Sequence, residues 1–218
     1  MTTLAGARVT SLFCTIPPSG AWWAVVAPET SAPGPGPASL VIGDLALRGV
    51  VLAQRGGDDA PGSSPVVVVG GAGWRSLLPP ASYRSPQGVR FVTVIADLAR
   101  ACAEPIDLPA DKLIGQSYVR LGGRSGSEVL SELVRGNCIS TWRVAPSGRT
   151  RFDAWPALGA ADAHGRVESR DLVRGLRRVA VDAAASAFLP GATLEGTRIA
   201  RTTYREDAGE LRVEASES

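Results

Sequence analysis

The sequence predicts a mainly β protein with an α+β insert, in which two small β-barrels flank a central helix and hairpin domain. Two observations lead to this fold class. Glycine and proline, with 25 and 16 of 218 residues, supply more turn positions than a helical bundle tolerates. Short apolar runs bounded by turn residues occupy both ends of the chain, whereas helical spacing of apolar residues is clearest in the middle.

Residues 1–70 are predicted to form the first barrel. The predicted strands are Ala7–Thr15, Ala21–Ala27, Leu40–Ile42, Leu45–Gln54 and Pro65–Val69. A tight turn is expected at Gly43-Asp44, and Gly49 is expected to form a bulge or bend. Thr30–Ser39 carries three prolines and is predicted to be a loop outside the ladder, and Gly56–Ser64 a second loop.

Residues 71–160 are predicted to form the α+β insert domain. Val92–Ala103 has apolar residues at helical spacing and stops before Glu104-Pro105. A second helix is expected to begin at Ser125, because Glu128 follows at the spacing of a capping box, and to stop at Gly136-Asn137. A β-hairpin is predicted from Ile139–Val144, the turn Ala145–Gly148 and Arg149–Trp155.

Residues 161–218 are predicted to form the second barrel after a small-residue linker, 157–165. Val167–Ala183 alternates and is predicted as a long β segment. Pro190-Gly191 then turns the chain. The remaining predicted elements are the strand Thr197–Tyr204, the turn Asp207–Gly209 and the strand Glu210–Ala215.

Charge and hydropathy exclude several classes of protein. The 23 basic and 21 acidic residues give a net charge of +2, too even for sequence-specific nucleic-acid binding through a basic face. No apolar run approaches the ~20 residues that span a bilayer, so we expect no membrane segment. The first residues lack a charged start followed by an apolar stretch, so no signal peptide is expected either.

A glycine-rich segment, Val66–Gly73, resembles a phosphate-binding loop at first sight. Such a loop needs a helix directly after it, to direct its amides and dipole at the phosphates. Here Pro79-Pro80 leaves room for barely one turn, and no βαβ alternation follows. A bend after a barrel strand is the favoured interpretation, and no cofactor is predicted.

Catalytic and metal-binding side chains are sparse. His164 is the only histidine and lies in the linker, with no G-x-S-x-G elbow elsewhere in the chain. Cys14, Cys102 and Cys138 are far apart and form no C-x-x-C pair, so neither a disulfide framework nor a zinc site is expected. The sequence therefore predicts no catalytic residue, no metal site and no enzymatic activity.

Two adjacent tryptophans suggest a contact surface. Trp22 and Trp23 follow each other in a strand-like run, so their side chains are expected to face opposite sides of the sheet. One of the two must then lie outside the core, and an exposed tryptophan on a small barrel indicates a contact surface. Trp22 and Trp23 are therefore the candidate residues of a partner interface, and of the two Trp22 is the one predicted to pack in the core, together with Trp142 and Trp155.

Several segments, in this order, resemble the baseplate hub proteins of phage tails and related injection machines, the family of the bacteriophage Mu tail hub. The segments are Ile42-Gly43-Asp44, Leu47-x-Gly49-Val50, Val94–Ala99, Val129–Leu133, Thr141–Gly148, Pro190–Ile199 and Leu211–Glu214. Thr141–Gly148 is similar to the family's hairpin, in which a Trp-Arg-Val strand meets a turn that ends in glycine. Together the segments cover nearly the whole chain.

The resemblance implies a structural role in a virion. Hubs of this family carry two related barrels per chain and form a homotrimer, whose six barrels match a hexameric tail tube on one side and a trimeric spike on the other. It implies tail tube or distal tail proteins, the spike and the tape-measure protein as partners. It also implies assembly in the host cytoplasm and a final place in the tail baseplate. The alternatives are a tail-associated cell-wall hydrolase and a carbohydrate- or protein-binding β module.

Overall fold

A computed structural model describes residues 1–31, 33–52, 64–137, 139, 141–181, 184–207 and 209–217. The strands and α-helices in chain order are β1 (Thr2–Leu4), β2 (Ala7–Ile16), β3 (Trp23–Pro28), β4 (Gly36–Ile42), β5 (Leu45–Val51), β6 (Val66–Val69), β7 (Ala81–Arg84), α1 (Phe91–Ala101), β8 (Ser117–Arg120), α2 (Gly126–Gly136), β9 (Arg143–Val144), β10 (Thr150–Arg151), β11 (Gly165–Asp171), β12 (Leu176–Val181), β13 (Thr193–Leu194), β14 (Thr197–Asp207) and β15 (Glu210–Glu217). Short 3-10 helices span Ala72–Arg75, Asp162–His164 and Ala185–Phe188. The chain divides into two compact units, Met1–Gly70 with Trp155–Ser218, and Gly71–Ala154.

The first unit contains a closed six-stranded antiparallel barrel. Its strands follow the order β1-β4-β5-β6-β3-β2, and β2 pairs back with β1 to complete the ring. Alternate side chains of these strands point inward and are buried, as the period of two along a strand requires. The barrel interior includes Leu4, Cys14, Ala24, Val26, Leu40, Leu47 and Val68.

The C-terminal strands continue the same sheet beyond the barrel. Strand β2 pairs with β14 over Ser11–Ile16, and the order then runs β14-β15-β12-β11, with β13 attached to β14. The prediction of a mainly β fold is confirmed by this arrangement. That the C-terminal set works as a second barrel, with the boundaries 1–70, 71–160 and 161–218, stays a prediction.

Trp22 fills the barrel interior because two glycines leave room for it. Its side chain is 1% exposed, and a Cβ added at Gly49 would lie 2.8 Å from its ring. A Cβ at Gly70 would overlap the indole nitrogen. Gly49 pairs with Ala38 without a register shift. The prediction of a bulge at Gly49 is therefore wrong, and the glycine serves close packing instead.

The loop predicted over Thr30–Ser39 is shorter than expected. Strand β4 begins at Gly36, and Pro37 pairs with Val50 of β5. On its other side β4 meets β1 only from Leu40 to Ile42. Pro37 thus lies on a stretch of edge where its missing N–H costs no ladder hydrogen bond, which is where a strand tolerates proline.

The long β segment predicted over Val167–Ala183 is a hairpin. Strands β11 and β12 are joined by a turn in which Gly175 has φ +58°. The Asp171 carboxylate accepts hydrogen bonds from the amides of Val173 and Arg174, both at 3.1 Å. Such an aspartate turn reverses the chain where the apolar alternation continues.

The second unit packs two helices against short strands. Helix α1 buries its apolar face as predicted, and Ser125 caps α2 with both hydrogen bonds of a capping box to Glu128. Trp74 is fully buried, donates to Thr150 at 2.8 Å and meets Trp142 edge to face with 6.1 Å between ring centroids. Among the described residues, no helix has the length and apolar composition needed to cross a membrane.

Some sequence predictions fall outside the described residues. They are most of the loop Gly56–Ser64, the thiol Cys138 and the centre of the turn Asp207–Gly209.

Asp44 links the β4–β5 turn to the C-terminal part of the first unit. Its carboxylate accepts hydrogen bonds from the Ser186 hydroxyl and, at 2.9 Å, from the Ser186 amide. Partial burial opposes ionisation of Asp44, but the hydrogen bonds from Ser186 outweigh it and lower the pKa of this carboxyl. The stability that the ionised Asp44 carboxyl contributes is therefore fully present above its unfolded-state pKa. It is lost as the pH falls through the lower pKa that this carboxyl has in the folded state.

We expect Asp44→Asn to lower the free energy of unfolding at pH 7 by less than about 1 kcal/mol, because the site is exposed. As the pH falls through the lowered folded-state pKa of Asp44, the variant and the wild type should converge, because the wild-type carboxyl becomes protonated. Urea unfolding at several pH values measures this difference. Glu29→Gln is the control, because Glu29 has only a 3.9 Å ion pair with Arg8. A difference that stays constant with pH would contradict the prediction.

Candidate interaction surface

The two adjacent tryptophans face opposite sides of the sheet. Trp22 lies inside the barrel, whereas Trp23, at the start of β3, is 40% exposed on the outer face. Trp22 therefore packs in the core, as the sequence predicts, and offers no surface to a partner in the single chain. Trp23 remains the candidate, and its contact with a partner stays a prediction.

Trp23 belongs to an apolar patch that crosses three strands. Val67, Val25 and Phe13 stand side by side on β6, β3 and β2, because the registers pair Val67 with Val25 and Val25 with Phe13. The Phe13 and Trp23 rings lie 5.3 Å apart. These four residues, Phe13, Trp23, Val25 and Val67, are called the outer patch below. Period-two alternation places all four on the face opposite the barrel core.

Charged side chains continue the outer patch across the C-terminal strands. The Arg205 guanidinium lies 4.9 Å from the centre of the Phe13 ring, a cation–π distance. Glu214 lies 3.3 Å from Arg205 and 2.9 Å from Arg178. Arg212 lies 3.2 Å from Glu168. Exposed ion pairs of this kind stabilise a fold weakly, but arginine beside exposed aromatic rings is typical of protein interfaces.

A groove of about 400 Å³ lies where the apolar and charged parts meet. Phe13 and Val25 form its apolar side, and Arg205, Asp207 and Glu210 stand among its charged lining residues. Its lining is therefore mixed, with apolar and charged side chains in one groove.

The β11–β12 hairpin carries the most exposed apolar side chains among the described residues. Leu172 is 82% and Val173 98% exposed. The sequence missed this feature because the alternation of 167–183 runs on through the turn, and Asp171 with Gly175 is the signal that could have found it.

Ion pairs brace the base of this hairpin. Glu195 accepts hydrogen bonds from Arg170 at 2.9 Å and from Arg177 at 3.0 Å, and Arg177 also pairs with Glu217. The hydrogen bond from Arg170, assisted by that from Arg177, lowers the pKa of Glu195. The Glu195 carboxylate is therefore ionised at neutral pH, where its charge-assisted hydrogen bonds connect it to both strands of the hairpin base.

The second unit also has exposed apolar side chains. Leu77, Val119 and Leu121 are exposed, and a groove of about 810 Å³ lies between β7 and the start of α1. Three arginines and two aspartates form a ladder of ion pairs on the β9–β10 hairpin, namely Arg143, Asp153, Arg151, Asp107 and Arg149. This ladder fixes the hairpin to the segment after α1.

The groups considered for catalysis belong to different elements of the chain. His164 is exposed in the 3-10 helix Asp162–His164. Cys14 is fully buried, and burial also raises the pKa of Cys102 to about 11, which disfavours a thiolate nucleophile at either position. Within the described part of the chain, no three His, Cys, Asp or Glu side chains lie close enough to hold a metal ion. That the chain is not an enzyme and needs no cofactor stays a prediction.

Comparison with solved structures shows which proteins share this fold. The chain is similar to a tail protein of prophage MuSo2 from Shewanella oneidensis, with a TM-score of 0.64 and 12% identity over 98% of this chain and 94% of that one. It is similar to a tail protein from Neisseria meningitidis MC58, with a TM-score of 0.63 and 10% identity over the same shares of the two chains.

A third similar structure is the E. coli c3393 protein, a type VI secretion system component that itself resembles the T4 bacteriophage tail proteins gp27 and gp5. It matches with a TM-score of 0.61 and 11% identity over 100% of this chain and 77% of that one. No family model matches the sequence, and no curated protein matches it. The chain thus has the fold of phage-tail and tail-like structural proteins, and the resemblance to the hub family is confirmed at the level of the fold.

Proposed function

We propose that this chain is a structural baseplate hub protein of a phage tail or of a phage-tail-like injection particle. The observation that carries the proposal is the match to a prophage tail protein over 98% of this chain and 94% of that one. A shared small barrel would align only part of each chain. Here the barrel, the helical insert and the C-terminal strands align together, so the whole architecture supports the role.

In this proposal the chain connects the sixfold symmetry of a tail tube to the threefold symmetry of a spike. Pairing of β2 with β14 holds the N-terminal and C-terminal strand sets in one sheet. If both sets act as barrels, three copies present six similar surfaces, which suits a hexameric tail tube, while the threefold axis suits a trimeric spike.

The partners follow from that position. They are two further copies of the chain, the tail tube or distal tail proteins on one side, the spike on the other, and the tape-measure protein inside the tube. The chain is assembled in the host cytoplasm and ends in the tail baseplate of the virion. Neither a membrane nor a specific nucleic-acid sequence has a part in this role.

The test is the mass of the purified full chain in solution, alone and mixed with the tail tube and spike proteins of the same particle. We expect three chain masses by light scattering, and ring-shaped particles with six lobes in electron micrographs. A stable monomer that releases soluble cell-wall fragments would replace the proposal with the hydrolase alternative. A monomer retained on immobilised glycan would favour the carbohydrate-binding module.

A further inference from the structure

A groove in the second unit follows one edge of strand β7. Its volume is about 810 Å³, and four consecutive residues, Ser82–Ser85, line one side of it. Successive side chains of a strand point to opposite faces, so a groove that meets four residues in a row runs along the backbone edge. No residue of β8, which the structure describes in full, lines the groove, so this is the edge that β8 leaves open. It is called the β7 groove below.

The open edge of β7 presents unpaired backbone groups. The Ser85 amide donates to the Gln116 carbonyl at 3.1 Å, in register with the pairing of β7 and β8. Because hydrogen-bonded residues alternate along an antiparallel strand, Tyr83 also directs its amide and carbonyl at β8. Ser82 and Arg84 then direct theirs into the groove, and no backbone hydrogen bond joins these two to another part of the described chain. An extended peptide can pair with both residues.

The opposite wall of the β7 groove is held in place by the chain itself. It consists of the start of α1 and of residues 111–113. The Phe91 amide donates to the Lys112 carbonyl at 2.8 Å, and Arg90 pairs with Asp111 at 2.9 Å. These bonds connect the two parts of the wall. A groove whose walls are already ordered binds a peptide at a smaller entropic cost.

The lining of the β7 groove is positively charged. Its charged residues, three positive and one negative, are Arg84, Arg90, Lys112 and Asp111. Arg90 and Asp111 neutralise each other, whereas Arg84 pairs with no described carboxylate. The Lys112 amine lies 5.8 Å from the centre of the Phe91 ring, which holds the charge at the groove without neutralising it. Two cations therefore face a ligand, and a negatively charged ligand complements them.

We propose that the β7 groove binds an extended acidic segment of another protein, which adds a third strand to β7 and β8. The backbone groups of Ser82 and Arg84 supply the strand pairing, and the side chains of Arg84 and Lys112 select glutamate or aspartate. A glycan or a nucleic acid would use the charge but not the strand pairing, so the open edge favours a peptide. The site lies in the second unit and does not depend on the trimer of the proposed function.

The probe is a fluorescein-labelled octapeptide of alternating glutamate and valine, added to the full chain. We expect saturable binding by fluorescence anisotropy, and binding about 10-fold weaker or more when lysine replaces glutamate in the peptide. Two further versions of the glutamate peptide are methylated at the odd or at the even amides. Since only one set of amides can face β7, one version should bind about 10-fold more weakly than the other. Dissociation constants above about 1 mM for every peptide would overturn the proposal.

Two variants of Ser82 distinguish its backbone from its side chain. Ser82→Pro removes the amide that faces the groove and leaves the bonds between β7 and β8, so it should weaken binding of the glutamate peptide by about 10-fold or more. Ser82→Ala keeps the amide and should bind as the wild type does. Circular dichroism checks that both variants fold, and the two methylated peptides decide the question if the proline variant does not. Equal binding by two folded variants would contradict the strand pairing.

Charge reversal tests the choice of an acidic ligand. Arg84→Glu should raise the dissociation constant of the glutamate peptide about 10-fold and lower that of the lysine peptide. Arg166→Glu is the matched control, because Arg166 is an exposed arginine on β11, the last strand of the described sheet in the other unit. It should change neither constant by more than about twofold. Equal effects of the two substitutions would show that net charge, and not this groove, attracts the peptide.

Hydrogen exchange locates the bound peptide. The Arg84 amide should gain protection when the glutamate peptide binds, whereas the Tyr83 amide, which already faces β8, should change little. A heparin fragment that binds more tightly than the peptide, and binds the wild type and Ser82→Pro equally, would overturn the peptide in favour of a polyanion. A chain that is monomeric in solution but binds the peptide as expected would contradict the trimer of the proposed function and leave this site standing.

Discussion

Replacing Trp22 by alanine is expected to lower the free energy of unfolding by about 3–5 kcal/mol, the cost of deleting a buried aromatic side chain. The Trp22 side chain is 1% exposed inside the closed barrel, and Gly49 and Gly70 leave room for its ring because neither has a Cβ. An alanine leaves a cavity that the ring of strands cannot close without breaking pairings. Guanidinium unfolding followed by circular dichroism measures the loss, which is a large part of the stability of a small domain.

The variant Trp22→Phe distinguishes the contribution of ring packing from that of the indole N–H group. The indole nitrogen of Trp22 has no hydrogen-bond partner among the described residues, so its removal forfeits no hydrogen bond. We therefore expect this variant to cost less than Trp22→Ala, because the phenyl ring keeps most of the apolar contacts and leaves a smaller cavity. An equal loss for Trp22→Ala and Trp22→Phe would contradict the view that ring volume is what the barrel needs.

The variant Gly70→Ala tests the same packing from the other side, because its Cβ would overlap the Trp22 indole. The alanine should destabilise the wild type by about 2 kcal/mol and the Trp22→Phe chain by less, since the smaller ring no longer fills that space. Gly34→Ala is the control, because a Cβ there meets nothing within 4 Å. Purely additive losses would show that the two residues do not compete for the same volume.

Local sequence signals predict the elements whose cause is local. The capping box at Ser125, the apolar stripe of α1 and the tight turn at Gly43 depend on residues three or four positions apart, and the structure has all three. The opposite facing of Trp22 and Trp23 follows from strand geometry alone. These features can therefore be predicted from the sequence without knowledge of any tertiary contact.

Features that depend on distant partners could not be predicted in the same way. Pro37 joins a strand because β1 covers only the far end of β4, which is a property of the ring rather than of the proline. Gly49 has no local signature of contact with Trp22, since 27 residues separate them in sequence. Pairing of β2 with β14 joins segments nearly 190 residues apart.

The outer patch likewise combines features that the local sequence predicts with features that depend on distant partners. Alternation could have placed Phe13, Val25 and Val67 on outer faces, but only the registers of β2, β3 and β6 bring them into one row. Arg205 reaches the Phe13 ring because β14 happens to pair at that register. A surface formed by cross-strand neighbours is therefore a tertiary property, even where each member has a predictable orientation.

Gly73→Ala is expected to destabilise the second unit by about 3 kcal/mol or more, because its Cβ would overlap the backbone oxygen of Cys102. A backbone atom cannot rotate away as a side chain can. The Gly73 amide also donates to Glu104 at 2.5 Å, a bond that partly offsets the rise in the Glu104 pKa caused by burial. Displacing the segment costs both the packing and this hydrogen bond.

The effect should extend to the tryptophan core of that unit. Gly73 precedes Trp74, which contacts Trp142 and donates to Thr150, so a shift of the 3-10 helix separates the ring pair and weakens its near-ultraviolet dichroism. Hydrogen exchange should show lost protection in α1, while the β2–β3 amides of the other unit keep theirs. Gly136→Ala is the control, because its Cβ meets nothing within 4 Å, and alanine there should be neutral or slightly stabilising. If Gly73→Ala unfolds at the same denaturant concentration as Gly136→Ala, the close approach of Gly73 to Cys102 does not govern the stability of this unit.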